Sequence, residues 1–177
     1  MDIYPERDIQ VSGSPLLPSQ FLQTILIAEL LRPSRRLWIC SPWISDVELL
    51  DNSARQFSSL DPDWPTATVR FSALLATLLE RGATVVIVTD GSAHNDEFLE
   101  RLAALNDAFP KNLSIIRSPN LRDEGIVGDN FVLDGSMNLA NGGVSINDER
   151  LIYRCDPARV AERQLALESR WGSHLCS

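Results

Sequence analysis

A helical apolar pattern that leads directly into a β-branched strand is the feature of this sequence that most constrains its fold. Between residues 69 and 79 the apolar side chains recur at the three- and four-residue spacing of an amphipathic helix. Arg81-Gly82 then supplies a helix end, and residues 83–88 form an unbroken, largely β-branched run. A helix followed at once by an apolar strand is typical of a parallel crossover, in which helices cover both faces of the sheet. The pattern predicts an α/β fold.

The rest of the chain continues this alternation of helices and strands. Apolar periodicity and the Gly, Pro and Asp punctuation predict helices at residues 18–31, 43–50, 96–108 and 157–171, and strands at residues 37–40, 113–117, 122–127, 130–133 and 149–154. Asp156-Pro157 matches the preferred start of the last helix, a capping Asp followed by Pro. We expect a mixed, mainly parallel sheet with helices on both faces.

One long segment, residues 52–66, is rich in Ser, Asp and Pro and predicts a surface loop or lid. Trp64 lies within it and has two interpretations. The ring forms an exposed binding surface, or it anchors the loop to the body of the protein, which is the more common arrangement.

Length and composition indicate one globular domain over residues 1–177. The chain has 177 residues, of which 44% are apolar and 23% charged, and a chain of this size buries enough surface to fold without staples. No stretch reaches the ~18 apolar residues of a membrane span, and the first thirty residues show no secretion signal. We therefore expect a cytoplasmic protein without a membrane partner.

Cysteine placement argues against a metal or another cofactor, and the net charge argues against nonspecific binding to nucleic acid. Cys40, Cys155 and Cys176 form no C-x-x-C motif and no cluster with histidine, so we expect neither a metal nor another cofactor. The net charge of −8 disfavours nonspecific binding to nucleic acid, which stays open as a partner.

A cluster of basic residues, Arg32, Arg35 and Arg36, stands beside the first predicted strand. It is interpreted either as a local basic strip for the phosphate backbone of a nucleic acid or, more commonly for such clusters, as a solvated turn at a helix end.

The most informative segment is residues 120–138, which read NLRDEGIVGDNFVLDGSMN. It resembles the HKD motif of the phospholipase D superfamily, which has His, any residue, Lys, four residues, Asp, about six residues and then Gly-Ser, often with Asn and a later Glu. Arg122 stands at the His position and Glu124 at the Lys position. The remaining motif positions are matched by Asp129, Gly135, Ser136, Asn138 and Glu149. Residues 38–44, WICSPWI, and 78–88, LLERGATVVIV, also look like the family's first strand and its crossover.

This resemblance implies a phospholipase D-like domain and a defined chemistry. In the enzymes it resembles, the His attacks phosphorus to form a phosphohistidine, while the Lys, Asn and Ser hold the phosphoryl oxygens and a second His protonates the leaving group. Two motifs meet to make one site. A chain with one motif supplies half of it, which predicts a homodimer or a hetero-partner that carries a complete motif.

The two substitutions remove this chemistry while keeping its geometry. Residues 122 and 124 are two apart on a predicted strand, so their side chains share one face. Arg is always protonated and is no nucleophile, and Glu at the phosphate-clamping position repels the substrate. Arg122 and Glu124 are predicted to neutralise each other, with Glu149 as a further acid for Arg122. Whether the chain is an enzyme therefore stays open.

Histidine is scarce, and the chain has only His94 and His174. His94 follows a predicted central strand at its carboxyl end, where open α/β sheets place their ligands, so it is a candidate for an unusual catalytic role. An exposed loop histidine is the more common interpretation, and His174 lies near the end of the chain. Ser136 lacks the G-x-S-x-G elbow of a serine hydrolase and predicts a turn residue instead.

Three functions are consistent with these features. The first is a catalytically inactive dimeric subunit, similar to phospholipase D-like components of bacterial phage-defence or DNA-modification clusters. The second is an active phosphodiesterase or nuclease with a non-standard site that uses His94, Ser136, Asn138 and Glu149, or with a hetero-partner that completes the site. The third is a module that binds phosphate or a nucleotide without turnover.

Overall fold

A seven-stranded sheet forms the centre of the computed structural model, which describes residues 6–10, 16–119, 121–135, 137–140, 143–146 and 150–175. In spatial order its strands are β1 (Glu6–Gln10), β11 (Arg150–Arg154), β8 (Val132–Asp134), β7 (Gly125–Val127), β2 (Arg36–Cys40), β5 (Thr84–Thr89) and β6 (Leu113–Arg117). Two small sheets pair β3 (Glu48–Asp51) with β4 (Thr68–Arg70), and β9 (Met137–Ala140) with β10 (Gly143–Ile146). The helices are α1 (Leu16–Leu31), α2 (Phe71–Glu80), α3 (Asp96–Ala108) and α4 (Pro157–Trp171).

The large sheet is mixed, as the sequence predicts. β2, β5 and β6 pair in parallel, whereas β7, β8, β11 and β1 join them through antiparallel pairs. In direction, β1, β2, β5, β6 and β8 run one way and β7 and β11 the other. The parallel part is the crossover that Gly82 introduces, and the antiparallel part is built on the β7–β8 hairpin.

Successive residues of a strand point to opposite faces of the sheet. In this sheet the residues on both faces are apolar, and helices cover both faces. In β2, Leu37 and Ile39 belong to the larger apolar core with α1, α2 and α3. Trp38 and Cys40 belong to a second core, in which α4 contributes Val160, Leu167 and Trp171. The predicted α/β class with helices on both faces is confirmed.

The long loop between β3 and β4 is anchored rather than free. Trp64 is buried, and its indole Nε1 donates to Thr77 Oγ1 of α2 at 3.0 Å. Thr77 in turn donates to Asp61 Oδ2 at 2.5 Å. The anchoring interpretation of Trp64 is therefore correct.

Two element predictions are wrong. Residues 43–50 form no helix. They run as an irregular segment into β3, because Ile44 N and Ser45 N donate to Asn95 Oδ1 and Leu139 O on distant parts of the chain. Strand β7 begins at Gly125 rather than at residue 122. Gly125 has φ of 142°, and a Cβ there would lie 2.2 Å from the Leu133 carbonyl oxygen, so only glycine allows this close hairpin entry.

Among the described residues, no helix combines the length and the apolar character needed to cross a membrane.

Candidate functional site

The segment that carries Arg122 and Glu124 lies at the carboxyl-terminal edge of the parallel strands. Gly125, the next residue of β7, pairs with Cys40 at the end of β2 and with Asp134 at the end of β8. Residues 121–124 therefore lie just beyond the edge at which β2, β5 and β8 end. Open α/β sheets bind their ligands at such edges.

The segment that follows β8 is held against the loop that follows β2. Leu139 N donates to Trp43 O at 3.0 Å, and Ser45 N donates back to Leu139 O at 2.5 Å. Asn138 pairs through its backbone with Ser145 of β10. The backbone that carries the motif's Asn position is thus joined to the same edge.

The side chains of three retained motif positions cannot be placed beside these strands. Ser136 and Glu149 lie outside the described residues, and Asn138 is described by its backbone alone. Their convergence with Arg122 and Glu124 in one pocket stays a prediction.

Arg122 and Glu124 do not neutralise each other. Arg122 is exposed, and no ion pair joins it to Glu124 or to any other residue of the described chain. The Oε2 atom of Glu124 is buried and has no hydrogen-bond partner within the described residues. A buried carboxylate oxygen without a donor is costly. Within the described residues, the segment therefore presents a cation and a carboxylate that do not pair with each other.

Asp123, between these two residues, is fixed to α4 on the other side of the segment. Arg163 Nη1 lies 3.1 Å from Asp123 Oδ1 and Arg170 Nη1 lies 2.7 Å from Oδ2. Arg163 Nε also lies 3.2 Å from Asp134 Oδ1, and Arg154 Nη1 lies 2.8 Å from Asp134 Oδ2. Arg163 of α4 thus bridges the motif segment and the end of β8, while Arg170 of α4 gives Asp123 a second ion pair and Arg154 of β11 gives Asp134 a second one.

The face of the sheet that α4 covers has two further features, the thiol of Cys40 and a cavity lined by charged residues. Burial raises the pKa of the Cys40 thiol to about 12, although the nearby Arg163 lowers it, so the sulfur stays protonated at neutral pH and is no nucleophile. Beside it, Asp134, Arg154, Arg163, Arg159 and Glu162 line an open polar cavity of about 460 Å³. Sequence reasoning missed this cavity, because its lining comes from three elements that are distant along the chain.

His94 lies in the loop after β5 and is exposed. Its ring centroid is 6.1 Å from that of Trp43, which is itself 48% exposed. The structure therefore brings His94 to the loop that contacts Leu139. Within the described residues it gives His94 no hydrogen bond or ion pair with Arg122 or Glu124.

Asn95 holds this arrangement together and was not predicted from the sequence. It is fully buried, its Oδ1 accepts from Ile44 N at 2.8 Å, and its Nδ2 donates to Pro42 O and Thr89 Oγ1 at 2.9 Å each. Asn95 therefore joins the loop after β5 to the loop after β2.

Asp129, the motif's Asp position, lies at the opposite edge of the sheet in the β7–β8 turn. Its Oδ2 accepts from Arg35 N at 3.0 Å, and its backbone N–H donates to Ser34 Oγ at 2.8 Å. Ser34 donates through both N–H and Oγ to the buried Glu29, at 2.9 Å each. Burial raises the pKa of Glu29, while the Ser34 hydrogen bonds lower it. Asp129 therefore serves the hairpin turn and not the site.

No group of three or more His, Cys, Asp or Glu residues in the described part of the chain is arranged to hold a metal ion. His174 is exposed and lies against Trp171, at 5.7 Å between ring centroids.

Comparison with known proteins supports the fold. No protein-family model and no curated protein sequence matches the chain. NucT from Helicobacter pylori has a TM-score of 0.55 at 12% identity, over 94% of this chain and 95% of that one. TrmBL2, an archaeal chromatin protein whose structure shows a novel mode of DNA binding, has a TM-score of 0.50 at 12% identity, over 97% of this chain and 54% of that one. Phosphatidylserine synthase from Haemophilus influenzae Rd KW20 has a TM-score of 0.46 at 15% identity, over 94% of this chain and 37% of that one.

At these identities the similarity shows the fold alone. The strand order and the crossover form a mixed α/β fold that NucT shares, and this fold is consistent with the phospholipase D-like architecture that the resemblance in residues 120–138 predicts.

Proposed function

We propose that this chain is a catalytically inactive, dimeric phospholipase D-like subunit of a bacterial defence or nucleic-acid-processing system. The observation that carries the proposal is the pair of charges at the substituted motif positions. Arg122 is exposed without an ion-pair partner in the described chain, and the carboxylate of Glu124 is partly buried and unsatisfied.

This pair cannot perform the chemistry of the motif it resembles. A phosphohistidine route needs a neutral imidazole nucleophile and a cation against the phosphoryl oxygens. Arg122 offers a permanent cation in place of the nucleophile, and Glu124 offers an anion in place of the clamp. Neither His94 nor Cys40 replaces the nucleophile in this interpretation, since His94 has no described contact with the substituted positions and Cys40 is a buried, protonated thiol.

The same charges support a two-fold dimer. In a symmetric interface, residue i of one copy contacts residue j of the other and the reverse contact follows. Arg122 of one copy and Glu124 of the other would then form two equivalent ion pairs, in which each charge gains a partner that the described residues of its own copy do not give it. A partner chain with a complete motif would replace one copy in a hetero-dimer.

The fold supports a role in nucleic-acid processing, whereas the overall charge argues against direct binding to nucleic acid. TrmBL2 shares the fold and is described as a chromatin protein with a novel mode of DNA binding, so such a role occurs on this architecture. The net charge of −8 argues against broad phosphate binding by this chain alone, which favours a role through a protein partner.

A second candidate is an active phosphodiesterase or nuclease that uses His94. One observation favours it, because His94 contacts Trp43, whose carbonyl accepts from the backbone of Leu139 directly after Asn138. The histidine loop therefore approaches the retained end of the motif.

Hydrolysis assays separate the two candidates. We expect the purified chain, without added metal, to leave single- and double-stranded DNA, RNA and bis(4-nitrophenyl) phosphate intact. Turnover by the unmodified chain that is lost in His94→Ala would replace the first proposal with the second. Trp43→Phe provides a control that alters the same contact without removing a titratable group.

A further inference from the structure

Trp43 is an indole that is open to solvent at the carboxyl-terminal edge of the parallel strands. The chain has four tryptophans. Trp38 is 2% exposed and Trp64 and Trp171 are 6% exposed each, whereas Trp43 is 48% exposed. The other three indoles are buried in the body of the protein, and Trp43 is instead presented at the edge where open α/β sheets bind their ligands.

The backbone on both sides of this ring is held in place. Pro42 O accepts from Thr89 Oγ1 at 3.0 Å and from Asn95 Nδ2 at 2.9 Å. Trp43 O accepts from Leu139 N at 3.0 Å, and Asn95 Oδ1 accepts from the amide of the next residue at 2.8 Å. The ring is therefore presented by an ordered segment, and a preordered surface loses little conformational entropy when it binds a ligand.

His94 places a second exposed ring beside Trp43. The ring centroids are 6.1 Å apart and the planes are tilted by 51°, so the two rings form an open angle and not a closed stack. The small cavity beside His94 contains two acids and two arginines, namely Asp46, Glu97, Arg70 and Arg101. Because these charges cancel, the pair of rings offers an uncharged π surface.

Arg122 brings a cation to the same edge. Cys40 of β2 pairs with Gly125 of β7, and the two strands are antiparallel, so Trp43 and Arg122 each lie three residues beyond this pair on the same side of the sheet. Arg122 is more exposed than Glu124 and has no ion pair within the described residues. A guanidinium has five donors, so a pair with Glu124 of a second copy leaves donors for a further oxygen group.

We propose that this edge binds a nucleotide, with its base stacked on Trp43 beside His94 and its phosphate held by Arg122. A base offers the flat π face that an exposed indole stacks with, without hydrogen-bond readout. Its phosphate accepts charge-assisted hydrogen bonds from a guanidinium. A free nucleotide and an unpaired nucleotide of a single strand share this chemistry, whereas the bases of a duplex are already stacked. The proposal rests on the proposed function, because it takes this edge as a binding surface without turnover, and it adds the class of ligand.

The first test is quenching of tryptophan emission in the full chain by adenosine 5′-monophosphate (AMP). A base that stacks on the one half-open indole quenches it, so we expect saturable quenching by AMP. Adenosine should bind about tenfold more weakly, because it lacks the phosphate. Ribose 5-phosphate, which lacks the base, should not quench. Equal quenching by AMP and ribose 5-phosphate would overturn the proposal.

Titration calorimetry of variants assigns the two contacts. Trp43→Ala should weaken AMP binding about tenfold or more, and Trp43→Phe, which keeps a flat ring, less than about threefold. Arg122→Gln should weaken AMP binding about tenfold and leave adenosine unchanged. Leu165→Ala and Lys111→Gln are the matched controls, an exposed apolar residue on α4 and an exposed cation before β6, and should change neither affinity.

Circular dichroism reports the folding of each variant. If Trp43→Ala does not fold, the comparison of AMP with adenosine in Arg122→Gln decides. Unchanged AMP affinity in folded Trp43→Ala, or equal losses for AMP and adenosine in Arg122→Gln, would overturn the proposal.

A single strand, (dA)20, and its duplex with (dT)20 separate the two sources of the nucleotide. Binding of (dA)20 at least about tenfold tighter than AMP, expressed per nucleotide, assigns the strand, and equal or weaker binding assigns the free nucleotide. The duplex should not quench. Equal quenching by duplex and single strand, or no saturable quenching by either the strand or about 10 mM AMP, would overturn the proposal.

A denaturing gel of the recovered strand separates this proposal from the proposed function. A strand that binds and stays intact supports both. A strand that binds and is cleaved supports the nucleotide site and overturns the inactive subunit. A strand that neither binds nor is cleaved, together with no binding of AMP, overturns the nucleotide site alone.

Discussion

Arg170 of α4 lies 2.7 Å from a carboxylate oxygen of Asp123, the residue between the two substituted motif positions. Arg163 holds the other oxygen of the same carboxylate at 3.1 Å. The last helix therefore fixes the backbone that presents Arg122 and Glu124, although no hydrogen bond or ion pair of the described residues joins its side chains to either of them. The orientation of the motif segment depends on α4.

This dependence predicts different effects for two arginines that are four residues apart on α4. Arg163→Met leaves the partly buried carboxylates of Asp123 and Asp134 short of a cation and should lower the free energy of unfolding by about 2 kcal/mol. Arg159→Met removes only an exposed pair with Glu162 and should cost less than about 0.5 kcal/mol. Urea unfolding followed by circular dichroism measures both, and equal losses would show that the Asp123 contact is not special.

The crossover and the capped last helix were predictable because their signals are local. Gly82 ends a helix with φ of 85°, and the β-branched residues that follow form β5. The Asp156 side chain accepts from Arg159 N at 2.9 Å, with Pro157 at the first turn, as the sequence predicts. In both places the determining contacts span at most a few residues.

The edge of the sheet was predicted less well because its contacts join distant segments. Residues 43–50 have an apolar spacing that fits a helix, but Asn95, 51 residues beyond Ile44, takes the Ile44 amide instead. The start of β7 depends on how closely Gly125 approaches Leu133 across the hairpin. No local pattern reports either contact. The burial of Glu124 Oε2 without a hydrogen-bond partner among the described residues likewise appears only in the folded chain.

Glu29 predicts an unusual dependence of stability on pH. Burial raises its folded-state pKa above the ordinary value of 4.5, so the folded state binds the proton more tightly than the unfolded state. Its contribution to stability is therefore greatest below pH 4.5 and is lost as the pH rises through the raised pKa. In Glu29→Gln, which cannot titrate, this loss should be absent.

The measurement is the difference in unfolding free energy between Glu29→Gln and the unmodified chain from pH 4 to pH 7.5. The difference should shift in favour of the variant as the pH rises, whatever its constant offset from the altered Ser34 hydrogen bonds. Glu97→Gln, at an exposed position on α3, is the matched control for exchanging a carboxylate for an amide. A flat difference for Glu29→Gln would mean that the pKa of Glu29 is not raised.

The proposed dimer predicts a charge-reversal pattern. Arg122→Glu alone, or Glu124→Arg alone, places like charges opposite each other across a two-fold axis and should raise the dimer dissociation constant about tenfold or more. The double variant Arg122→Glu with Glu124→Arg restores both pairs with their signs exchanged and should recover most of the affinity. Analytical ultracentrifugation at several salt concentrations measures this. A monomer of 19.7 kDa at micromolar concentration, or a double variant as weak as the singles, would contradict the reciprocal pairing.

Restoring the motif should reveal what the substitutions removed. Arg122→His with Glu124→Lys returns an imidazole and a phosphate-clamping cation to two positions separated by one residue, at the edge where β2 and β8 end. We expect weak hydrolysis of bis(4-nitrophenyl) phosphate by this variant, and a covalent phosphoenzyme trapped by acid quench with a radiolabelled oligonucleotide. Either single substitution should give no turnover, because losing the nucleophile removes most of the rate and losing a charged partner of the phosphoryl oxygens costs about 3 kcal/mol more.

Arg35→His with Asp129→Lys, at the opposite edge of the sheet, is the control for adventitious contamination. Turnover in that control, or in the unmodified chain to the same extent, would show that the activity does not come from positions 122 and 124.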